Sequence, residues 1–431
     1  MANDRVSFSL TIKFLKSGNY SISVKVVKIL SDLNIIGDER FLYLFIDENH
    51  CKTKFDKSVD FEKERLEQIF SIPPIFQYDS LKKKSQSIEL PTKVEGVRYA
   101  FDYEIDSSRN TNGTVTIYGY FYYYDRNNNY MPAKYCTVEL WDDDTWPLAD
   151  DFLGSALTNE NGYFSIGSID NSDVVGTIDL YAKFLTTTTK RRVVTYAGTE
   201  TIYNWVTAVF NDIPDGNFNL GTNSIVNGSN NEGAMWIFQT LYDGWSYPPN
   251  DPGLCVVEWE YDGTGGAYYS SGGRVHLEGQ YKNYPDVILH EAGHNYMWNV
   301  YGNYIPITYC PSPHYWNVAS HVNCAWTEGW ASFFACAVYN DPIYTATYTV
   351  NIETPPTSWD DGDEVEGRVC GSLWDIYDTP NDGLDYYAFG FDEIWDVFYN
   401  QNDDNFSQFW SAWKSYGHPK HYSVAAIYQN T

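Results

Sequence analysis

The sequence predicts a multidomain α+β protein: a β-rich N-terminal domain, then a β-sandwich, then a helix-dominated C-terminal domain. Three observations carry that prediction. Strict apolar alternation opens the chain at Val6, Phe8, Leu10, Ile12 and Phe14, the period of a strand with one buried face. Short strand-like runs separated by Asn- and Gly-rich turns fill residues 113–186, the pattern of two packed antiparallel sheets. After residue 187, apolar residues recur at helical spacing in several longer segments. At about 150 residues per domain, 431 residues leave room for roughly two to four domains. The boundaries fall at 1–96, 97–186 and 187–431.

The N-terminal domain continues with a second strand at Ile22, Val24 and Val26 and a third at 40–46. Phe61 to Phe70 reads as a short amphipathic helix. Residues 77–96 are polar and form a linker with Lys82, Lys83 and Lys84 near its centre. Three lysines in a row suit a solvated turn; they also suit a processing site, which would make the first domain a pro-segment.

In the second domain, Val115 to Tyr124 leads into a turn at 125–129, and Cys136 to Trp141 is the next strand. An acidic loop follows, with Asp142, Asp143, Asp144, Asp150 and Asp151. It is a candidate Ca²⁺ site without EF-hand spacing, and equally a solvated loop. Thr158 to Phe164 and Ile178 to Phe184 complete the strand-like runs.

The third domain has helical spacing at Glu232 to Tyr242 and a short strand at Arg274 to Glu278. Pro285 suits the first turn of a helix. Further helices are expected over 326–339, 367–378, 390–416 and 421–430.

Composition narrows the function classes. Residues 1–100 carry 16 basic and 14 acidic side chains, net +2, whereas the remaining 331 carry 12 and 43, net −31. The acidic part repels nucleic acid and anionic membranes, so no nucleic-acid partner is expected. No run of about 18 apolar residues spans a membrane, and the first residues lack the apolar stretch of a signal peptide. The seven cysteines contain no C-x-x-C pair, which argues against a cysteine-based zinc site. Cys310 and Cys324 bracket a loop that suits a disulfide staple, and an oxidising, extracellular or cell-surface setting is favoured. Nothing in the sequence fixes an oligomeric state.

The most informative stretch is Val287-Ile-Leu-His290-Glu291-Ala-Gly-His294. Two His at i and i+4 lie one above the other on one helix face, as a metal chelate requires. Glu291 stands beside them, where it can take a proton from a metal-activated water. Glu291 is the only charge from 287 to 300, and buried polar groups need partners. Two His do not complete a catalytic zinc site, which normally has three protein ligands. Met297 and Val300 stand where a metzincin needs Gly and His, which excludes that class. His314 and His321 are eligible third ligands. Glu328 is the stronger candidate, because Trp326 to Ala335 is apolar apart from Thr327, Glu328 and Ser332, and a carboxylate there needs a cation or donors. Gly329 and Ala331 are small enough to let this helix approach the motif helix.

His290-Glu291-x-x-His294, followed after 33 intervening residues by Glu328 in a W-T-E-G-W-A segment, resembles the gluzincins, the thermolysin-like zinc metallopeptidases. The resemblance covers roughly residues 270–380. It implies a zincin-like fold, one Zn²⁺ on His290, His294 and Glu328, Glu291 as general base, and a protein or peptide substrate. Ser332 stands four residues after Glu328, where thermolysin has an Asp that supports a ligand His. Support for the ligand rings is therefore expected elsewhere, from Asp375 or Asp378 in an L-W-D-x-x-D segment similar to one in other members of this clan. Residues 113–186 are similar to the transthyretin-like domain of carboxypeptidase regulatory regions, on a V-x-G-like opening near Gly119 and T-x-x-x-G-x-F at Thr158 to Phe164. That resemblance implies a sandwich and no activity.

Such chemistry needs a donor to the oxyanion, for which Tyr304, Tyr309, Tyr377, His314 and His418 are eligible. The strand at 274–278 is expected to pair its edge with an extended substrate. A second reading is a catalytically silent adhesion or carbohydrate-binding protein with a structural zinc.

Overall fold

A computed structural model describes residues 6–13, 19–26 and 113–431, apart from short stretches at 145–148, 173–176, 197–199, 263–265, 271, 308, 380–386, 419–422, 425–426 and 428–431. The chain divides into two compact units, Met1–Tyr103 and Glu104–Thr431. In the first, β1 (Val6–Lys13) and β2 (Asn19–Val26) pair antiparallel, from Val6 opposite Val26 to Lys13 opposite Asn19. The strand expected at 40–46, the helix at 61–70 and the lysine-containing linker lie outside the described residues.

The second unit is α+β. Two four-stranded sheets come first. One has the order β10-β8-β5-β6, from Asn204–Val206, Leu180–Leu185, Thr137–Asp142 and Asp151–Leu157. The other has the order β11-β3-β4, from Gly216–Ser224, Thr114–Tyr124 and Tyr130–Pro132, with β7 (Tyr163–Asp170) also paired to β3. Alternation along β3 buries Val115, Ile117 and Phe121, and along β5 and β8 it buries Val138, Leu140, Leu180 and Phe184. Phe121 and Phe184 stack across the two sheets, 3.9 Å between ring centroids. β10 and β11, which follow residue 186, complete these sheets.

Between them in the chain, β9 (Arg191–Thr195) joins a third sheet of order β13-β14-β12-β9. There β12 (Cys255–Trp259) runs parallel to both β9 and β14 (Arg274–Leu277), and β13 (Ala267–Ser270) lies antiparallel on β14. The strand expected at 274–278 exists, but it is flanked on both sides. The edges are β13 and β9 instead. Periodicity reveals a strand and says nothing of its neighbours, which is why the edge was misplaced.

Helices α1 (Glu232–Ser246), α2 (Pro285–Val300), α3 (Val322–Tyr339) and α4 (Glu366–Tyr377) follow, then α5 (Phe391–Asn400) and α6 (Phe406–Ser415). Pro285 opens α2 in its first turn. The single helix expected over 390–416 is two. Asn405 breaks it by accepting a hydrogen bond from the Gln408 N–H at 3.0 Å, a side-chain N-cap that starts α6 afresh. Among the described residues, no helix is long and apolar enough to cross a membrane.

Close packing of α2, α3 and α4 positions the site. A Cβ on Gly293 of α2 would lie 3.1 Å from the Ala331 Cα of α3. The sequence assigned Gly329 to the same contact, but Gly329 faces α4 instead. A Cβ there would lie 2.9 Å from the Glu366 carbonyl oxygen and 2.8 Å from Val369 Cγ1. Gly329→Ala is therefore expected to destabilise the fold. Overpacking of about 2–3 kcal/mol outweighs about 1 kcal/mol of gained helix propensity. Urea unfolding would measure it, and an unchanged midpoint would refute the contact.

Candidate active site

Helix α2 puts His290 and His294 one turn apart on a buried face, and α3 presents Glu328 against them; all three are buried. Glu328 Oε2 lies 3.2 Å from His290 Nε2 and 3.1 Å from His294 Nε2, and the two Nε2 atoms are 3.1 Å apart. Three donor atoms converge in a near-equilateral triangle. Such spacing suits donors that each lie about 2 Å from one shared ion. Burial pushes the Glu328 carboxyl up, but His294 and His290 outweigh it and hold it well below the carboxylate range.

Glu291 adjoins this triangle, and with His290 and His294 it forms a group that could hold a metal ion. Burial lifts its carboxyl to about 7, against the lowering pull of His290 and with a raising push from Glu328. The backbone of Tyr269 in β13 also bonds to it, which brings the edge strand beside the carboxylate. Tyr269 and Tyr344 flank the histidines, with ring centroids 6.3 Å from His294 and 6.1 Å from His290.

Support for one histidine comes from the residue the sequence reading discounted. Ser332 Oγ is 3.0 Å from His290 Nδ1. Its short side chain reaches because Gly293 and Ala331 bring the helices together. Asp375 and Asp378, expected in this role, are buried on and just after the last turn of α4. His294 Nδ1 is enclosed without a partner among the described residues. Outer hydrogen bonds fix ring orientation and raise ligand basicity. Ser332→Ala is expected to weaken metal binding by roughly 10–100-fold. Competition against a chromophoric chelator would read this, and unaltered affinity would remove Ser332 from the site.

Of the five eligible oxyanion donors, the structure brings His314 to the triangle. Its Nε2 is 3.8 Å from Glu328 Oε2, and its Nδ1 is 2.9 Å from Glu366 Oε2. The bond to Glu366 raises His314 to about 9 against the opposing effect of burial, with Glu328 adding to the rise. Glu366 is buried in the first turn of α4. The Cys310–Cys324 disulfide closes the loop that carries His314, as the sequence anticipated, and it leaves Cys310 no thiolate to offer a metal. Cys136, Cys255, Cys336 and Cys370 are free and buried.

The other candidates are engaged elsewhere. Tyr304 donates to Asp404 Oδ1 at 2.7 Å. Tyr309 is exposed with its ring against His321. The Tyr377 hydroxyl donates to Asn340 Oδ1 at 2.9 Å, at the far end of α3 from Glu328. His418 stacks on Trp413, 3.9 Å between centroids. His321, an alternative third ligand, caps α3 by accepting from the Asn323 N–H at 3.2 Å. In the acidic loop, Asp142 accepts from the Asp179 N–H and Asp150 from the Tyr181 hydroxyl. Sequence reasoning missed Glu366 altogether. An acid in a helix's first turn is an ordinary response to the helix dipole, so nothing singled it out.

No curated protein is similar in sequence. Among solved structures, the chain is similar to a 9R-lipoxygenase from Cyanothece PCC8801 at 16% identity and TM-score 0.20, over 45% of this chain and 24% of that one. It is similar to an (S)-allantoin synthase at 13% identity and TM-score 0.18, over 26% and 41%. A shaft pilin from Lactobacillus rhamnosus GG gives 15% identity and TM-score 0.16, over 26% and 51%. The chain spans about half or less of each, and likenesses this slight carry no argument. Residues 232–431, which hold every residue of the triangle, match the family model of the Mycolysin C-terminal domain, and that match suggests a zinc metallopeptidase family.

Proposed function

We propose that the chain is a zinc-dependent metallopeptidase of gluzincin type. The observation that carries this reading is the convergence of three donor atoms, 3.1–3.2 Å apart, beside a buried carboxylate. Their chemistry, two imidazoles and one carboxylate, is that of a catalytic zinc site. His290, His294 and Glu328 would hold one zinc ion, whose Lewis acidity would be available to activate water near neutral pH and to polarise the scissile carbonyl.

The chain's own residues do the rest. Glu291 takes the proton of the attacking water and returns it to the departing amine, so one water is added across the C–N bond. His314, held by Glu366, donates to the oxyanion that develops on the former carbonyl oxygen. Ser332 orients His290. The edge strand β13 offers its backbone to an extended peptide. The two small sheets act as an accessory sandwich, and the disulfide supports an extracellular setting.

Metal analysis combined with digestion of casein or a peptide library tests the reading. One zinc per chain and new peptide N-termini are expected. Stoichiometric zinc with no cleavage by the wild type would overturn it in favour of a silent binding protein.

A further inference from the structure

A shallow depression, open to solvent, lies beside the two small sheets, lined by Trp205, Val226, Ser229, Asn230 and Asn231. Trp205 belongs to β10, and the other four lie in the connection from β11 to α1. None of these residues carries a formal charge, in a chain whose formal net charge is −29. Trp205 is half-buried and backed by Phe121, with ring centroids 6.1 Å apart.

The polar groups of the connection are held ready. The Ser229 N–H donates to the Val226 carbonyl at 3.0 Å, and the Glu232 N–H donates to the Ser229 carbonyl at 3.2 Å, which fixes the turn. Asn231 occupies the N-cap position of α1, yet its side chain makes no capping bond. The carboxylate of Glu232 folds back instead and accepts from the Gly228 N–H at 2.7 Å. The Ser229 hydroxyl is enclosed and has no partner among the described residues.

Chemistry selects the ligand. An indole face attracts the apolar face of a ring, and amides both donate and accept. No lining cation favours an anionic ligand and no lining carboxylate favours a cationic one. We propose that this depression binds one sugar residue of a neutral glycan. The ring packs on Trp205, and its hydroxyls bond to the exposed amides of Asn230 and Asn231. The site is independent of the peptidase chemistry.

Affinity electrophoresis of the full chain through gels containing a neutral glucan, mannan or xylan tests this, with alginate as the anionic comparison. At least one neutral polysaccharide should retard the wild type, and alginate should not. Trp205→Ala and Asn231→Ala should each weaken that retardation by roughly tenfold or more. Asn231 is exposed, so its substitution keeps the test valid if Trp205→Ala unfolds. Glu291→Gln should be retarded as the wild type is, which separates this site from the peptidase reading. Failure of every neutral polysaccharide to retard the wild type overturns the proposal. So does retardation that survives Asn231→Ala at an unchanged melting temperature.

Discussion

Glu291→Gln is expected to lower kcat for peptide cleavage by roughly 10³-fold while leaving zinc content and folding intact. General acid–base catalysis contributes about 10²–10⁴, and Gln keeps the shape of Glu without its basicity. Burial is the leading influence on this carboxyl and carries it to about 7, so the charge is disfavoured where it stands. Replacing it with a neutral amide therefore removes a desolvation penalty, and stability is not expected to fall. A fluorogenic peptide assay alongside metal analysis reads both quantities. Activity within tenfold of the wild type, with zinc retained, would show that some other group moves the proton.

Glu328→Ala is expected to abolish activity by a different route, through loss of the metal. The Glu328 carboxylate holds both His290 and His294, at 3.2 and 3.1 Å. Without it, two imidazoles remain, fewer than the usual three protein ligands of a catalytic zinc. The same reasoning predicts a link between metal and stability. An ion present at about a thousand times its Kd stabilises the folded state by about 4 kcal/mol. A chelator should therefore lower the melting temperature of the wild type by several degrees and leave that of Glu328→Ala unmoved. Equal responses in the two proteins would show that Glu328 does not bind the metal.

Much of this candidate site was legible in the chain because its signals are local. His290, Glu291 and His294 lie within five residues, and helical periodicity alone puts the histidines on one face. Glu328 stood out because its surroundings are apolar. The supporting groups were not legible, because they depend on which helices touch. Ser332 lies on the face of Glu328, yet only the depth of α2–α3 contact lets a hydroxyl reach His290. Glu366 looked like any acid at a helix start until the disulfide-closed loop brought His314 to within 2.9 Å. The edge strand was misassigned for the same reason, since pairing partners are not written in a strand's own period. The break between α5 and α6 was overlooked because Asn405 resembles a solvated residue as much as a cap.

In the proposed metal site, one contact would act as a gauge of ionic radius. Gly293 lies between His290 and His294 on α2, and it meets Ala331, which lies between Glu328 and Ser332 on α3. In the proposed metal site, the breadth of the donor triangle would thus be set by two residues that are not themselves donors. A methyl group at 293 would wedge the helices apart and widen the triangle while leaving every donor in place. Gly293→Ala should then shift preference from zinc towards a larger ion such as cadmium. A competition titration would show this as a change in the ratio of the two affinities, and an unchanged ratio would mean that the helices do not set the size of the site.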